Sequence, residues 1–329
     1  MKIAYLLADT GLAGGTRVVV AHGDALTDRG HDVTLVTPGG PLTWRDSRAQ
    51  WLRVNAFSEL DASAFDFIVG TFWTTLHDAY ALAGDRAVHF CQGYEGSFTA
   101  YQAQKPAIDA AYRLPLPKLT VSPHLVLICR EFYDDATYVG QIVDDEFYQP
   151  HAPRNAKPRV LLVGPAQADF KGIDVGYDAV RHARKLGAEF ELIRVSQWHA
   201  ADDEPIDLAA EFHIALTTAE MARLIASCDA FLGTSRSEEG FGLPAAEALA
   251  SGVPAVLSEI PSFLSWHDAH DYALFAPEGD GAAFGDRLVK LLRESSAERV
   301  KRGREVVEQF RAEHTGARLE AWFASRLSA

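Results

Sequence analysis

The chain has 329 residues, 48% of them hydrophobic, and a formal net charge of −14; this predicts a large buried core and two domains rather than one. The acidic balance excludes a general nucleic-acid surface and a broad attraction to anionic lipid. Cys91, Cys129 and Cys228 lie far apart with no metal-ligand spacing, and the opening apolar run is too short for a signal sequence, so the chain reads as cytoplasmic, with no stretch that approaches a membrane span.

In chain order, residues 3–8 read as a strand, followed by Asp9 and a glycine loop with Gly11, Gly14 and Gly15. Residues 16–31 have helical spacing and residues 31–37 give a second strand, so the chain opens with a β-α-β unit whose glycine turn faces a ligand. A dinucleotide fold is the obvious rival. The three glycines lack the G-x-G-x-x-G spacing, however, and Thr37, Pro38 and Gly39 stand where an acid would close the second strand, which puts an NAD-linked dehydrogenase last. Residues 67–71 and 87–91 read as parallel core strands flanking a helical stretch with His77 and Asp78. The later strand runs into Gln92, Tyr94 and Glu95, placed where polar side chains of α/β folds meet ligands, and these three are candidate acceptor contacts. Loop packing is the plainer alternative, and His77 and His89 read as structural. Residues 99–112 predict a helix, 120–122 a strand and 125–133 another helix. Pro150, Pro153 and Pro158, with Arg154, Asn155 and Lys157 between them, form the most linker-like segment, giving a first domain at 1–150 and a linker at 151–158.

The second domain, 159–305, opens with a strand at 159–163 and a loop carrying Lys171 and Gly172 ahead of an amphipathic helix. Residues 190–195 and 229–233 are further strands; 212–214, at a spacing more often core, lie where domains of the kind resembled below usually place a base. In the stretch 233–258, GTSRSEEGFGLPAAEALASGVPAVLS, Gly240 and Gly242 let the backbone approach a bound group and Pro244 fits the first turn of a helix. The helix start seats a phosphate. Glu239 precedes the glycines and Glu247 follows after seven intervening residues, one acid on the loop and one on the helix wall. Carboxylates beside an anion seat suit hydroxyl partners, and a phosphate flanked by two polyols is a sugar nucleotide. Any α/β protein can carry a Gly-Pro helix start with surface glutamates, which is the plain alternative. Gly252 closes the helix, 253–258 is a buried strand, 282–295 is a helix, and two more helices complete the chain.

The stretch 233–258 resembles, nearly residue for residue, the E-x7-E signature of the family 4 glycosyltransferases, retaining enzymes of GT-B architecture. The resemblance implies an α/β fold of two Rossmann-like parallel-sheet domains facing across a cleft, with the last helix, 306–329, crossing back to the first domain on Trp322 and Phe323. It implies a hexosyl or deoxyhexosyl transfer from a nucleotide diphosphate sugar to an acceptor that is a glycan, a lipid-linked compound or a small molecule. Glu239 then takes hydroxyls of the donor sugar and Glu247 the ribose, while Lys171 and the N–H groups of Phe241, Gly242 and Leu243 face the diphosphate. Gly14, Gly15 and Arg17 look like the family's double glycine followed by arginine. No Asp-x-Asp metal motif is present, so neither a metal nor a cofactor is expected. Two positions depart from the pattern: Pro165 stands where an arginine is usual, with Gln167 or Arg194 as candidate substitutes, and Gln92 stands near a usual histidine. A GT-B sugar-nucleotide epimerase, or a catalytically silent nucleotide-sugar-binding protein, is the alternative that these departures keep open.

Overall fold

A computed structural model describes residues 1–11, 14–148 and 155–327. Its contacts divide the chain into two compact units, one formed by Met1–Ile142 with Phe310–Ala329 and the other by Val143–Gln309. The expected boundary at 150 and half of the expected linker, 151–154, lie outside the described residues. Just before them, Phe147 is fully buried and its carbonyl accepts from Ser251 Oγ at 3.0 Å, while Tyr148 Oη donates to Val307 O at 2.8 Å, so this segment packs within the second unit.

The first unit runs β1 (Lys2–Leu6), α1 (Gly14–Asp28), β2 (Asp32–Thr37), β3 (Gln50–Arg53), β4 (Phe67–Gly70), α2 (Trp73–Ala83), β5 (Ala87–Cys91), α3 (Lys105–Tyr112), β6 (Lys118–Thr120), α4 (Pro123–Arg130) and β7 (Ala136–Tyr138). Its seven strands are ordered β3-β2-β1-β4-β5-β6-β7 and every pairing is parallel. The order reverses between β1 and β4, and the carboxyl ends of those strands mark the natural ligand position. β1 is an unbroken apolar run because both faces of a parallel sheet are covered; Ile3, Ala4, Tyr5 and Leu6 are wholly buried.

The second unit runs β8 (Arg159–Val163), α5 (Ile173–Lys185), β9 (Glu191–Ser196), β10 (Glu211–Ile214), α6 (Thr218–Ala226), β11 (Ala230–Gly233), α7 (Leu243–Ala250), β12 (Ala255–Ser258), α8 (Pro261–Leu264), β13 (Leu274–Ala276), α9 (Gly281–Arg293) and α10 (Ala297–Val307). Its six parallel strands are ordered β10-β9-β8-β11-β12-β13, with the reversal between β8 and β11. One core joins the sheet to α5 and α9 through Val160, Leu162, Tyr177, Leu232 and Phe284. The last helix, α11 (Ala312–Leu327), belongs to the first unit, where Phe323 meets Phe67 at 5.0 Å between ring centroids.

Several elements differ from the sequence expectation. Gly14 and Gly15 open α1 instead of lying in the loop before it. The expected helix over 99–112 is a 3-10 stretch, Thr99–Gln104, that passes into α3 where Pro106 occupies the first turn. The expected strand at 120–122 lies two residues earlier, as β6.

Candidate functional site

In the second unit the loops after β8 and β11 meet at the reversal of strand order. The β8 loop begins at Gly164 with φ +136, and a Cβ there would lie 3.1 Å from Lys171 Cγ, so the lysine stem crosses over a bare glycine. A 3-10 turn, Asp169–Lys171, ends on Gly172 in the left-handed region, with φ 58 and ψ 35, as the N-cap of α5. Glycine is required there, because a Cβ would sit 2.0 Å from the carbonyl oxygen of Thr234. The β11 loop is fastened to this turn by Arg236 N donating to Phe170 O at 2.7 Å and Thr234 Oγ1 donating to Lys171 O at 3.2 Å.

This arrangement brings Lys171 and Glu239 together. Lys171 Nζ donates to Glu239 Oε2 at 2.6 Å, and Ser235 Oγ donates to the same oxygen at 2.9 Å. Glu239 is buried and Lys171 partly so, with the ammonium also 4.8 Å from the centre of the Phe170 ring. Both Lys171 and Ser235 hold Oε2, which leaves Oε1 of this carboxylate as the acceptor open to a ligand hydroxyl. Farther along the loop, Ser237 N donates to Glu278 Oε1 at 3.1 Å, and the Ser237 hydroxyl donates to the same side chain. The loop is therefore pinned from Thr234 to Glu239, ahead of its glycines.

α7 begins after Gly242, whose φ of 85 and ψ of 51 are again left-handed and whose added Cβ would lie 2.2 Å from Phe263. No side chain caps this start, and Pro244 lies in the first turn. Gly240 and Phe241 are buried on the approach, with the Phe241 ring 5.2 Å from Trp266. Glu247, 1% exposed, lies one turn into α7. The sequence-predicted set Lys171, Glu239, Gly240, Phe241, Gly242, Leu243 and Glu247 is thus carried on the two loops at this switch and the helix that follows. Ser235 and Glu278 were not read from the sequence; a serine four residues before Glu239 was the only local signal for the first, and the second comes from the turn after β13.

Both suggested substitutes for the usual arginine have partners within the protein. Arg194 is wholly buried and donates from Nε to Glu204 Oε1 at 2.8 Å, and Gln167 Nε2 donates to His199 O at 2.9 Å. Arg236, the other cation on the loop, is paired with Asp174 at 2.7 Å.

In the first unit Gly14 and Gly15 stand exposed at the start of α1, and a Cβ on Gly15 would meet the Gln92 amide at 3.5 Å. Gln92 Nε2 reaches Thr71 O at 3.4 Å, and its buried Oε1 has no partner among the described residues. The Tyr94 hydroxyl donates to Asp109 and accepts from Lys105 Nζ at 2.8 Å. Glu95 is buried and accepts from the Tyr112 hydroxyl at 2.5 Å; burial lifts its carboxyl to about 7, against the opposing pull of that bond. Tyr94 and Glu95 are therefore committed to internal partners, and Gln92 alone of the three keeps an unused polar atom. His77 is exposed, while burial holds His89 well below the usual histidine range and so neutral. Among the described residues no group of three or more His, Cys, Asp or Glu is placed to hold a metal ion, and no helix is long and apolar enough to cross a membrane.

Residues 157–294 match the family model described as Glycosyl transferases group 1. A phosphatidyl-myo-inositol mannosyltransferase of Mycobacterium leprae (strain TN) is 29% identical over 148 residues, which cover 43% of this chain and 38% of that protein. The chain is thus matched over well under half of that relative's length. Among solved structures, a glycosyltransferase from Rickettsia africae ESF-5 superposes with a TM-score of 0.77 at 14% identity, covering 99% of this chain and 98% of the other. Sucrose-phosphate synthase from Thermosynechococcus elongatus gives a TM-score of 0.78 at 16% identity over 99% of both chains. Anabaena Alr3699/HepE in complex with UDP-glucose gives 0.77 at 14% identity over 100% of this chain and 99% of the other. The fold is that of the GT-B glycosyltransferases, two parallel-sheet α/β domains, and a glycosyltransferase domain occupies residues 157–294.

Proposed function

We propose that this protein is a retaining, metal-independent glycosyltransferase that moves a hexosyl or deoxyhexosyl group from a nucleoside diphosphate sugar to an acceptor hydroxyl. The observation that carries the reading is the buried Glu239 carboxylate, held on one oxygen by Lys171 and Ser235 directly before the glycine start of α7, with Glu247 one turn on. The match of residues 157–294 to a glycosyltransferase family supports it, as does the UDP-glucose bound by one structural neighbour. The buried, free Cys91 and Cys129 fit a cytoplasmic enzyme.

In this reading the bond between the anomeric carbon and the phosphate oxygen breaks, charge builds on the diphosphate, and the acceptor oxygen attacks from the face that the leaving group vacates. The departing phosphate takes the acceptor's proton. Fixed donors aimed at the leaving group are then the largest catalytic term, and they are Lys171 with the N–H groups of Phe241, Gly242 and Leu243 at the positive end of α7. Glu239 Oε1 accepts from the donor sugar and Glu247 from the ribose. Gly14 and Gly15 are assigned to the donor as well, and Gln92, with its unused amide oxygen, to the acceptor in preference to Tyr94 and Glu95.

A melting-temperature panel of sugar nucleotides tests this, because a ligand at a hundred times its Kd adds about 2.7 kcal/mol of stability. The matching donor raises the melting temperature with a chelator present, and NMR of the product shows the anomeric configuration kept. Glu239→Gln and Glu247→Gln each lose about ten- to a hundredfold in donor use, the worth of one hydrogen bond to an ionised acid. A panel in which no sugar nucleotide shifts the melt defeats the reading.

A further inference from the structure

The first unit holds a cavity of about 520 Å³ that the transfer reading does not use. It lies at the amino ends of β4, β5, β6 and β7, where Phe65, Val88, Pro117 and Asp135 line it, and the last two turns of α11 add Trp322 and Arg326. These strands are parallel, so their amino ends form one edge of the sheet. Gln92 follows the opposite end of β5, on the order of 15 Å away at the rise of an extended chain. The cavity is thus separate from the crevice assigned to the acceptor, and its volume falls in the range of small-ligand sites.

The walls are set by the fold. Pro115 and Pro117 flank a bend in which Leu116 N donates to Leu114 O at 2.7 Å, and their fixed rings leave no side chain on this wall free to swing into the space. Arg326 Nη2 donates to Asp135 Oδ1 at 2.7 Å, with its guanidinium 5.1 Å from the centre of the Trp322 ring. Arg86 Nη1 donates to the carbonyls of Ala62 and Phe65. Two polar groups of the lining keep their capacity: the Tyr133 hydroxyl and the Asp85 carboxylate have no hydrogen-bond partner among the described residues.

Charge and shape together narrow the ligand. Asp66, Asp85 and Asp135 are balanced by Arg86, Arg326 and the buried Lys118, whose ammonium lies 5.1 Å from the centre of the Tyr133 ring. Burial pushes Lys118 down to about 8, which still leaves it charged at neutral pH. Neither an anion nor a cation therefore gains a net attraction. An acyl chain would strip water from carboxylates and guanidinium groups without replacing it. A neutral molecule with hydroxyls on its edge and C–H groups on its faces suits both parts of the lining. We propose that this cavity is a non-catalytic carbohydrate site that takes a neutral sugar of an oligosaccharide, with Asp85 and Tyr133 bonding its hydroxyls and the rings of Phe65 and Trp322 packing against its face. The site stands independently of the donor reading above.

Saturation-transfer NMR on the full chain tests it, with maltose, cellobiose and mannobiose as neutral probes and glucose 6-phosphate and glucosamine as charged ones. At least one neutral disaccharide should bind, bind equally to Gln92→Ala, and lose about tenfold or more in affinity in Asp85→Asn and in Tyr133→Ala. The charged probes should bind more weakly than that disaccharide. Asp85 is exposed, so Asp85→Asn reads the site even if Tyr133→Ala unfolds, and its unchanged melting temperature checks this. The proposal is overturned if no neutral probe binds, if Asp85→Asn binds as tightly as the unaltered chain, or if a charged probe binds more tightly than every neutral one. It is overturned as well if Gln92→Ala weakens binding as much as Asp85→Asn does, because the sugar is then held at the other edge of the sheet. None of these results bears on the donor, which the sugar-nucleotide melts decide.

Discussion

Glu95 pays for its place in the first unit with a carboxyl shut away from water, and burial moves it from the usual 4.5 to about 7. Below pH 4.5 the carboxyl is protonated whether the chain is folded or not, and it contributes nothing to pH dependence. Between 4.5 and 7 the folded protein keeps a proton that the unfolded chain has released, so stability falls as pH rises and levels off above 7. The loss is at most about 3 kcal/mol. Glu95→Gln keeps an acceptor for the Tyr112 hydroxyl without the buried charge, so it should raise the melting temperature at pH 8 and gain little at pH 4.5. Calorimetry at the two pH values decides it, and an equal effect at both would mean that the charge is not the cause. Lys171 and Glu239 form a close ion pair, 2.6 Å apart and partly shielded from water, in which each offsets the other's charge. Removing one partner leaves the other uncompensated. Urea unfolding of Lys171→Met, Glu239→Gln and the double variant should show the double variant less destabilised than the sum of the singles, by about 1 kcal/mol or more.

The helices that carry the site start in the same way, each on a glycine in the left-handed region, and the two starts differ in what surrounds them. At Gly172 an added Cβ meets a backbone carbonyl at 2.0 Å, whereas at Gly242 it meets the Phe263 ring at 2.2 Å. A ring can rotate away where a sheet-end carbonyl cannot, so Gly172→Ala should cost more than Gly242→Ala. Gly187, at φ 80 with nothing within 4 Å, gives the cost of the backbone alone, about 1 kcal/mol. Denaturant midpoints in the order Gly187→Ala, Gly242→Ala, Gly172→Ala from least to most destabilised would bear this out; a Gly172→Ala variant as stable as Gly187→Ala would contradict it. The glycine start of α7 was legible because its signal is local: glycine, proline and two acids within one turn of a helix. Buried parallel strands such as β1 and β8 were legible for the same reason, as unbroken apolar runs. β3 was not, because an edge strand of four residues with Leu52 39% exposed carries neither that run nor an alternation. Nor was the direct bond between Lys171 and Glu239, which lie 68 residues apart and meet only after β8 and β11 pair. Each residue was legible, but their meeting depended on the strand order of the sheet.

On the scale of the whole molecule, the first unit is assembled from both ends of the chain, with the second unit's residues, Val143–Gln309, between them in sequence. α11 is therefore a structural part of the first unit although it follows the second unit in sequence. Phe323 is fully buried against Phe67 at 5.0 Å, Trp322 lies 6.4 Å from the same ring, and Thr315 Oγ1 donates to Gln141 O at 2.9 Å from a buried position. By contrast, the Arg29–Glu320 pair at 2.6 Å is about a third exposed on each side, and such surface pairs contribute about 0–1 kcal/mol. Apolar burial, then, is what attaches α11. Phe323→Ala should destabilise the first unit by about 3–5 kcal/mol and Glu320→Ala by less than about 1 kcal/mol. Hydrogen exchange separates this from a general loss of stability. In Phe323→Ala, amides of β1 and β4 should lose protection while those of β8 and β11 keep theirs, because the second unit has its own core on α5 and α9. Equal loss in both sheets would show that the two units unfold as one, and α11 could not then be read as serving the first unit alone.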